Sequence, residues 1–458
     1  MSQKAFNTDS EIRVLSPTGI LGYGFPVASF QNGMRRKPHF IAVDGGSTDP
    51  GPYYLGDGTS FTTRTAVRRD LQLILPAAIS NGIPLVIGSC GGAGAEPHLQ
   101  WCRDIVLEVA RQERLHFRLG IIAADVDHQT VANALKRGAI RPLPSVPPLT
   151  NQILSNTSRI VAQMGTEPIC AALQAGCTVV LCGRAYDPAL FAAFPILRGY
   201  DRGLALHMGK ILECAAIAAE PGSGADCCLG RLGRDGFILE SLNPARRFSR
   251  RSVAAHTLYE KADPYLLHGP GGCLDLRRTT FQELGNGTVK VGGSRFAPSS
   301  RYAVKLEGVR VAGYRTICVA GCRDPRMIAD IDQILAAARS EVGHILGEDD
   351  LESRLNVRVY GKNGVMGALE PRRSSRAHEL GLLIEAVGNT QEHASTLCAV
   401  TRAVLLHYGY SGRVSTAGNL AFPMSPSDVN MGEVYEFSIF HLMEIENQEL
   451  FGLQTEEI

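Results

Sequence analysis

Four polar clusters each follow a short apolar run, and their residue types suit acid–base and anion-binding chemistry. In the first, Asp44-Gly45-Gly46-Ser47-Thr48-Asp49-Pro50, two carboxylates stand five residues apart on a loop stiffened by glycine and proline. Such a pair could serve as acid and base, take up a cation, or cap the amides of a tight turn. The second, Gly88-Ser89-Cys90-Gly91-Gly92-Ala93-Gly94, precedes a helix predicted to begin near Pro97. There the amides of Gly91, Gly92 and Gly94 could approach a carboxylate or a coenzyme A pyrophosphate, or form a structural turn. The third, Gly183-Arg184-Ala185-Tyr186-Asp187-Pro188, offers Arg184 as a two-pronged carboxylate clamp. Asp187 could act chemically there or simply pair with Arg184. The fourth runs from His207 and Lys210 to Glu213 and resumes at His256, Tyr259 and Glu260. His256 and Glu260 share a face if that segment is helical, and such a pair moves protons or joins two metal ligands.

Other chemistries lack their signatures. There is no Gly-x-Gly-x-x-Gly, no Walker loop and no acidic ribose partner, so neither nicotinamide nor ATP binding is signalled. His-Glu-x-x-His and the Gly-x-Ser-x-Gly elbow are absent, and the twelve cysteines form no Cys-x2-Cys pair. The residues therefore point to a lyase, with a hydro-lyase as one form, or to an isomerase, acting on a small carboxylic acid or acyl-CoA. In that scheme Arg184, Lys210 and the amides of Gly91, Gly92 and Gly94 hold the carboxylate or thioester oxygen. Asp49, Asp187 or Glu260 removes an α-proton, and His207 or His256 protonates the leaving hydroxyl. A metal-assisted version gathers Asp44, Asp49, His207 and His256 around Mg²⁺, Mn²⁺ or Zn²⁺. Two rivals stand beside it. One is a non-catalytic subunit that binds a CoA ester or a partner enzyme. The other is an amide, thioester or lactone hydrolase with Cys90 as nucleophile and His98 or His128 as base.

These groups need strand ends to carry them. The apolar runs 40–43, 84–87, 119–124 and 178–182 read as buried parallel strands, and 70–79, 98–111, 129–137 and 168–174 as helices between them. That alternation predicts an α/β fold with a mostly parallel, doubly wound sheet, whose ligands bind beyond the strands' carboxyl ends. From about Gly230 the texture changes to short alternating strands at 237–240, 288–291 and 302–306, followed by an amphipathic helix over 326–342. The acidic Gly347-Glu348-Asp349-Asp350 is the expected boundary between a domain of residues 1–347 and a smaller α+β domain of residues 348–458. In the latter, 355–360, 380–387, 393–407 and 435–442 read as strand, strand, helix, strand.

Composition sets the remaining limits. With 46 basic against 45 acidic side chains, no strong field draws in nucleic acid or an anionic membrane. No run approaches the ~20 apolar residues of a membrane span. Residues 1–15 lack a signal-peptide core, so a cytoplasmic location is expected. A homo-oligomer is the expectation for an enzyme of this size.

The strand-end motifs resemble the acyclic terpene utilisation AtuA family. They are Asp44-Gly-Gly-Ser-Thr-Asp-Pro-Gly-Pro-Tyr-Tyr-Leu-Gly56, Gly88-Ser-Cys-Gly-Gly-Ala-Gly94 and Gly183-Arg-Ala-Tyr-Asp-Pro188. Leu206-His-Met-Gly-Lys-Ile-Leu-Glu-Cys214, Glu220-Pro-Gly-Ser-Gly224, Ala254-Ala-His-Thr-Leu-Tyr-Glu-Lys261 and Gly269-Pro-Gly-Gly272 continue the series in order. The resemblance runs from about Ile12 to Asp324, with Tyr186 departing from the small residue or cysteine expected there. Asn419-Leu-Ala-Phe-Pro-Met-Ser-Pro-Ser-Asp428 and Val434-Tyr-Glu-Phe-Ser-Ile-Phe-His441 look like the small C-terminal unit found in or beside such proteins. The resemblance implies a bacterial or fungal catabolic setting in which acyclic terpenes are degraded through CoA thioesters. It brings no assigned catalytic residues.

Overall fold

The computed structural model describes residues 11–259, 263–347, 351, 353–372, 374–446 and 450–458. The chain forms two compact units, one of Met1–Arg310 with Phe437–Ile458 and one of Val311–Glu436. The division therefore falls near 310 and 436 rather than at the acidic run 347–350. The cause is strand pairing: Tyr314–Cys322 lies antiparallel to Leu380–Gly388, which fixes residues on both sides of that run in one sheet.

The first unit is built on a ten-stranded mixed sheet. Its centre is parallel, in the order Ile12–Ser16, Phe40–Asp44, Leu85–Gly88, Val179–Cys182 and Arg118–Ile122. The expectation of a mostly parallel sheet fails at the flanks. Cys228–Leu232, Phe237–Ser241, Thr288–Gly292 and Thr280–Gly285 extend one side antiparallel, and Leu453–Glu457 adds antiparallel to Arg118–Ile122 on the other. Cys228–Leu232 and Phe237–Ser241 form one short hairpin, Thr280–Gly285 and Thr288–Gly292 a second, and Leu453–Glu457 arrives from far along the chain.

Alternate residues of the central strands enter two cores. Val14, Phe40, Ala42, Val86, Val180 and Cys182 face a core shared with helices Asp187–Leu197 and Arg202–Leu212. Leu15, Ile41, Val43, Leu85, Ile87 and Leu181 face another, shared with Arg64–Ser80 and Glu96–Glu113. Burial on both faces is why these strands read as unbroken apolar runs. Among the described residues no helix is long and apolar enough to cross a membrane.

In the second unit, Leu355–Tyr360 pairs with Leu380–Gly388, which pairs with the 314–322 segment. Helices Ile331–Leu346 and Gln391–His407 supply Ile334, Ala338, Leu397 and Leu405 to its core. The helix expected over 326–342 is two pieces, Pro325–Ala329 and Ile331–Leu346. Asp324 caps the first piece, accepting from the amides of Arg326 and Met327.

One crossing positions the site. A Cβ on Gly209 would stand 2.3 Å from the Pro188 carbonyl oxygen, so Arg202–Leu212 passes backbone-to-backbone over the start of Asp187–Leu197. Gly209→Ala is expected to cost about 2 kcal/mol or more through overpacking. Gly452→Ala, where nothing lies within 4 Å, should stay within about 0.5 kcal/mol. Urea unfolding midpoints of the two variants check this.

Candidate active site

The loops after three central strands are knitted together by backbone. The Gly45 amide donates to the Gly88 carbonyl at 2.7 Å, Ser89 to Gly183 at 3.1 Å, and Arg184 to Gly94 at 3.0 Å. Gly94 has φ +65°, and a Cβ there would lie 2.3 Å from the Arg184 nitrogen. Glycine is required for the loops to approach this closely. Three of the four sequence clusters thus meet at one end of the sheet, and helix Arg202–Leu212 brings the fourth across them.

Arg184 is buried and engaged by the protein itself. Its Nε donates to Glu307 at 2.9 Å, and its Nη1 donates to Ser89 Oγ, the Ala185 carbonyl and Asp187. Glu307, fully buried, also receives Lys305 at 2.5 Å. Burial pushes the Glu307 carboxyl up, but Arg184 and Lys305 together hold it at about 2. The clamp expected of Arg184 is therefore occupied by Glu307 and Asp187. Glu307 and Lys305 escaped sequence reading, since charges within a short alternating strand look solvent-facing.

The glycine-rich loop packs against protein on several sides. A Cβ on Gly91 would meet His98 at 2.9 Å, and one on Gly92 would meet Phe61 at 3.0 Å. At the adjoining helix N-terminus the Asp125 carboxylate faces the Glu96 amide. Burial raises Asp125 to about 6 against the pull of that amide and Arg159. A carboxylate of the chain's own thus stands where a ligand anion was expected. Cys90 is buried in the apolar core, and burial drives its thiol pKa well up. His98 Nε2 faces the carbonyls of Tyr54 and Thr59, and His128 Nε2 that of Thr157. The Cys90 nucleophile thereby loses its chemistry.

His207 is buried with both ring nitrogens bonded. Thr257 Oγ1 donates its proton to the Val253 carbonyl at 2.8 Å, so it must accept from His207 Nε2 at 3.0 Å. Nδ1 then accepts from Ser294 Oγ at 2.6 Å. This locks one neutral tautomer. Burial, then Lys210 and His256, lower its pKa to about 3. His207 anchors the helix and is not placed to protonate a leaving group.

Three other polar atoms nearby are buried without a hydrogen-bond partner: Asp44 Oδ1, Lys210 Nζ and His256 Nε2. Burial and then Asp187 push Asp44 well above the carboxylate range, with Arg184 pulling the other way and Glu213 adding to the rise. Glu213 caps the C-terminus of the helix that carries Lys210, one turn on. Lys210 Nζ lies 5.0 Å from the centre of the Tyr259 ring, which stands 4.7 Å from the His256 ring. Burial, then Lys210, lower His256 to about 4. Tyr186 packs beside them, its phenol pushed up by burial and by Glu213 and Asp187. A Cβ on Gly269 would come within 2.9 Å of the Tyr186 ring, so the hairpin of Leu266–Gly269 and Gly272–Asp275 closes against it. Buried polar atoms without partners are rare in native proteins, which makes these three the candidates for contact with a ligand.

Asp49 is exposed, its amide held by Ser47 Oγ, and among the described residues no hydrogen bond or ion pair joins its carboxylate to this group. Glu260 lies outside the described residues. Among the described residues no three His, Cys, Asp or Glu side chains are arranged to hold a metal ion, so Asp44, Asp49, His207 and His256 do not form a ligand set there.

Two outcomes follow. Glu307→Gln should destabilise the first unit by about 3 kcal/mol, because it strands a buried guanidinium; urea titration measures it. The folded pKa values of His207 and His256 lie below the ordinary 6.5. Their stabilisation is complete above pH 6.5 and is lost as pH falls toward 4 and 3. His207→Gln should make the stability–pH slope shallower in that window by up to about one proton, read from unfolding midpoints across a pH series.

The family model for the acyclic terpene utilisation family protein AtuA matches residues 60–224 and 237–428. No curated protein and no solved structure matches the chain.

Proposed function

The chain belongs to the acyclic terpene utilisation family of AtuA, and on that footing we propose that it is a catabolic lyase or isomerase working by acid–base chemistry. The family's description supports a role in acyclic terpene utilisation. The finer reading rests on one observation: Asp44 Oδ1, Lys210 Nζ and His256 Nε2, carried on neighbouring elements, are each buried without a partner.

Each atom has a chemical task. Neutral His256 accepts the α-proton of a carboxylic acid or thioester at Nε2. The Lys210 charge takes up the negative oxygen of the resulting enolate, in a dry setting where such stabilisation is strongest. Asp44, kept protonated by burial, gives its proton to a β-hydroxyl. The carbon–oxygen bond breaks and water leaves. Asp44 then carries the charge, close to Arg184. If the substrate instead carries a β,γ double bond, the dienolate can take a proton at its γ-carbon, and the same groups move the double bond in an isomerisation. Arg184, Glu307 and Asp187 form the frame behind these atoms.

Deuterium incorporation at the α-carbon in heavy water, followed by mass spectrometry across 3-hydroxy acids and 3-hydroxyacyl-CoAs, tests this directly. Lys210→Met and His256→Asn should each lower exchange at least about 100-fold. Asp44→Asn should retain exchange but lose elimination. Full exchange and elimination in all three variants would retire the proposal. Binding of an acyl-CoA with no exchange in the native chain would favour a carrier subunit.

A further inference from the structure

We infer that Lys210 is a covalent site: its amine forms an imine with an uncharged aldehyde or ketone, an activity beyond the acid–base reaction on acids and thioesters. A lysine nitrogen bonds reversibly to a carbonyl carbon where it is held out of water beside a base.

Lys210 differs from the other described lysines. Lys305 and Lys362 pair with Glu307 and Asp332, and Lys37 and Lys136 are exposed. Among the described residues Lys210 alone is a buried lysine, 1% exposed, and no hydrogen-bond partner meets its Nζ. Nothing has to be displaced before the amine reacts. Its helix is fixed on two sides: His207, three residues earlier, is bonded to Thr257 and Ser294, and Gly209 lies against Pro188. The Tyr259 ring stands 5.0 Å from the nitrogen and is itself 38% exposed, so the amine lies one side chain below the surface.

His256 supplies the base. Its Nε2 is buried without a partner, and its ring packs 4.7 Å from that of Tyr259, on the same side as Lys210. Nε2 takes a proton from the ammonium, and the freed lone pair closes on the carbonyl carbon as the carbon–oxygen π bond opens onto oxygen. That oxygen receives the proton back from His256 and a second one from the nitrogen, and leaves as water. The product is an iminium with the same single positive charge as the ammonium it replaced. No new charge is buried, and the Tyr259 ring that faces the ammonium suits the iminium equally well. The iminium draws electrons from the neighbouring carbon, and His256 takes the proton there to give an enamine.

The test is reductive trapping of the full chain with 2-butanone and cyanoborohydride, followed by peptide mass mapping. The reagent adds hydride to the iminium carbon and makes the carbon–nitrogen bond permanent. An adduct on Lys210 is expected to form at least about 100-fold faster than on exposed Lys37 or Lys136, the margin that a positioned base provides. His256→Asn should remove most of that margin and leave labelling of the exposed lysines unchanged. Lys210→Met, which removes a buried charge without a partner, should abolish the fast adduct without lowering the urea midpoint. No adduct, adducts on exposed lysines with Lys210 spared, or an undiminished margin in His256→Asn overturns the inference. Hydrogen exchange in 3-hydroxy acids is read without a ketone or reductant, so failure of the acid–base proposal shows separately from failure of trapping.

Discussion

A guanidinium withdrawn from water is costly unless its donors are satisfied, and the first unit is organised around meeting that demand for Arg184. Its partners come from widely separated places: Ser89 after one central strand, Asp187 at the head of a helix, and Glu307 on a strand over a hundred residues later. Lys305 completes the charge balance on Glu307. Once these four are fixed, the glycine loop has little freedom, because the Arg184 backbone already lies against Gly94. The ion pair therefore does for the loops what apolar burial does for the strands beneath them.

This frame explains why the reactive-looking atoms lie one layer away from it. Arg184, Asp187 and Glu307 neutralise one another, whereas Asp44, Lys210 and His256 are left with atoms that bond to nothing. A site with its structural charges matched and its remaining polar atoms free is pre-organised: ligand binding need not first break an internal ion pair. His207 belongs with the frame. It sits three residues before Lys210 on the same helix, and its two hydroxyl partners fix the rotation of that helix.

Sequence reading went furthest where physics is local. The central strands are buried on both faces, so their apolar runs at 40–43, 84–87 and 178–182 were plain, and so were the polar clusters at their ends. Asp187, Lys210 and His256 were found because they lie next to glycine or in strand-end motifs. Ranking them was a different matter. Arg184 looked like a ligand clamp because Glu307 is distant in sequence, and Glu307 hid in a strand whose two faces are both covered. Asp49 shared its loop with Asp44, yet one is exposed and the other buried, a difference decided by the loop's fold. The antiparallel flanks of the large sheet were also hidden, since one of them is the chain's last strand.

That last strand bears on how the protein comes into being. The chain leaves the first unit at Arg310 and returns at Phe437, and Leu453–Glu457 forms one border of the first unit's sheet. A ribosome emits residues in order, so the second unit, spanning 311–436, can finish folding while the first still lacks its border strand. Until residues 453–457 emerge, Arg118–Ile122 is a bare sheet edge on the nascent chain, open to wrong pairings. That edge stays open while the whole of the second unit is being translated, so its closure is set by order along the chain rather than by nearness in sequence.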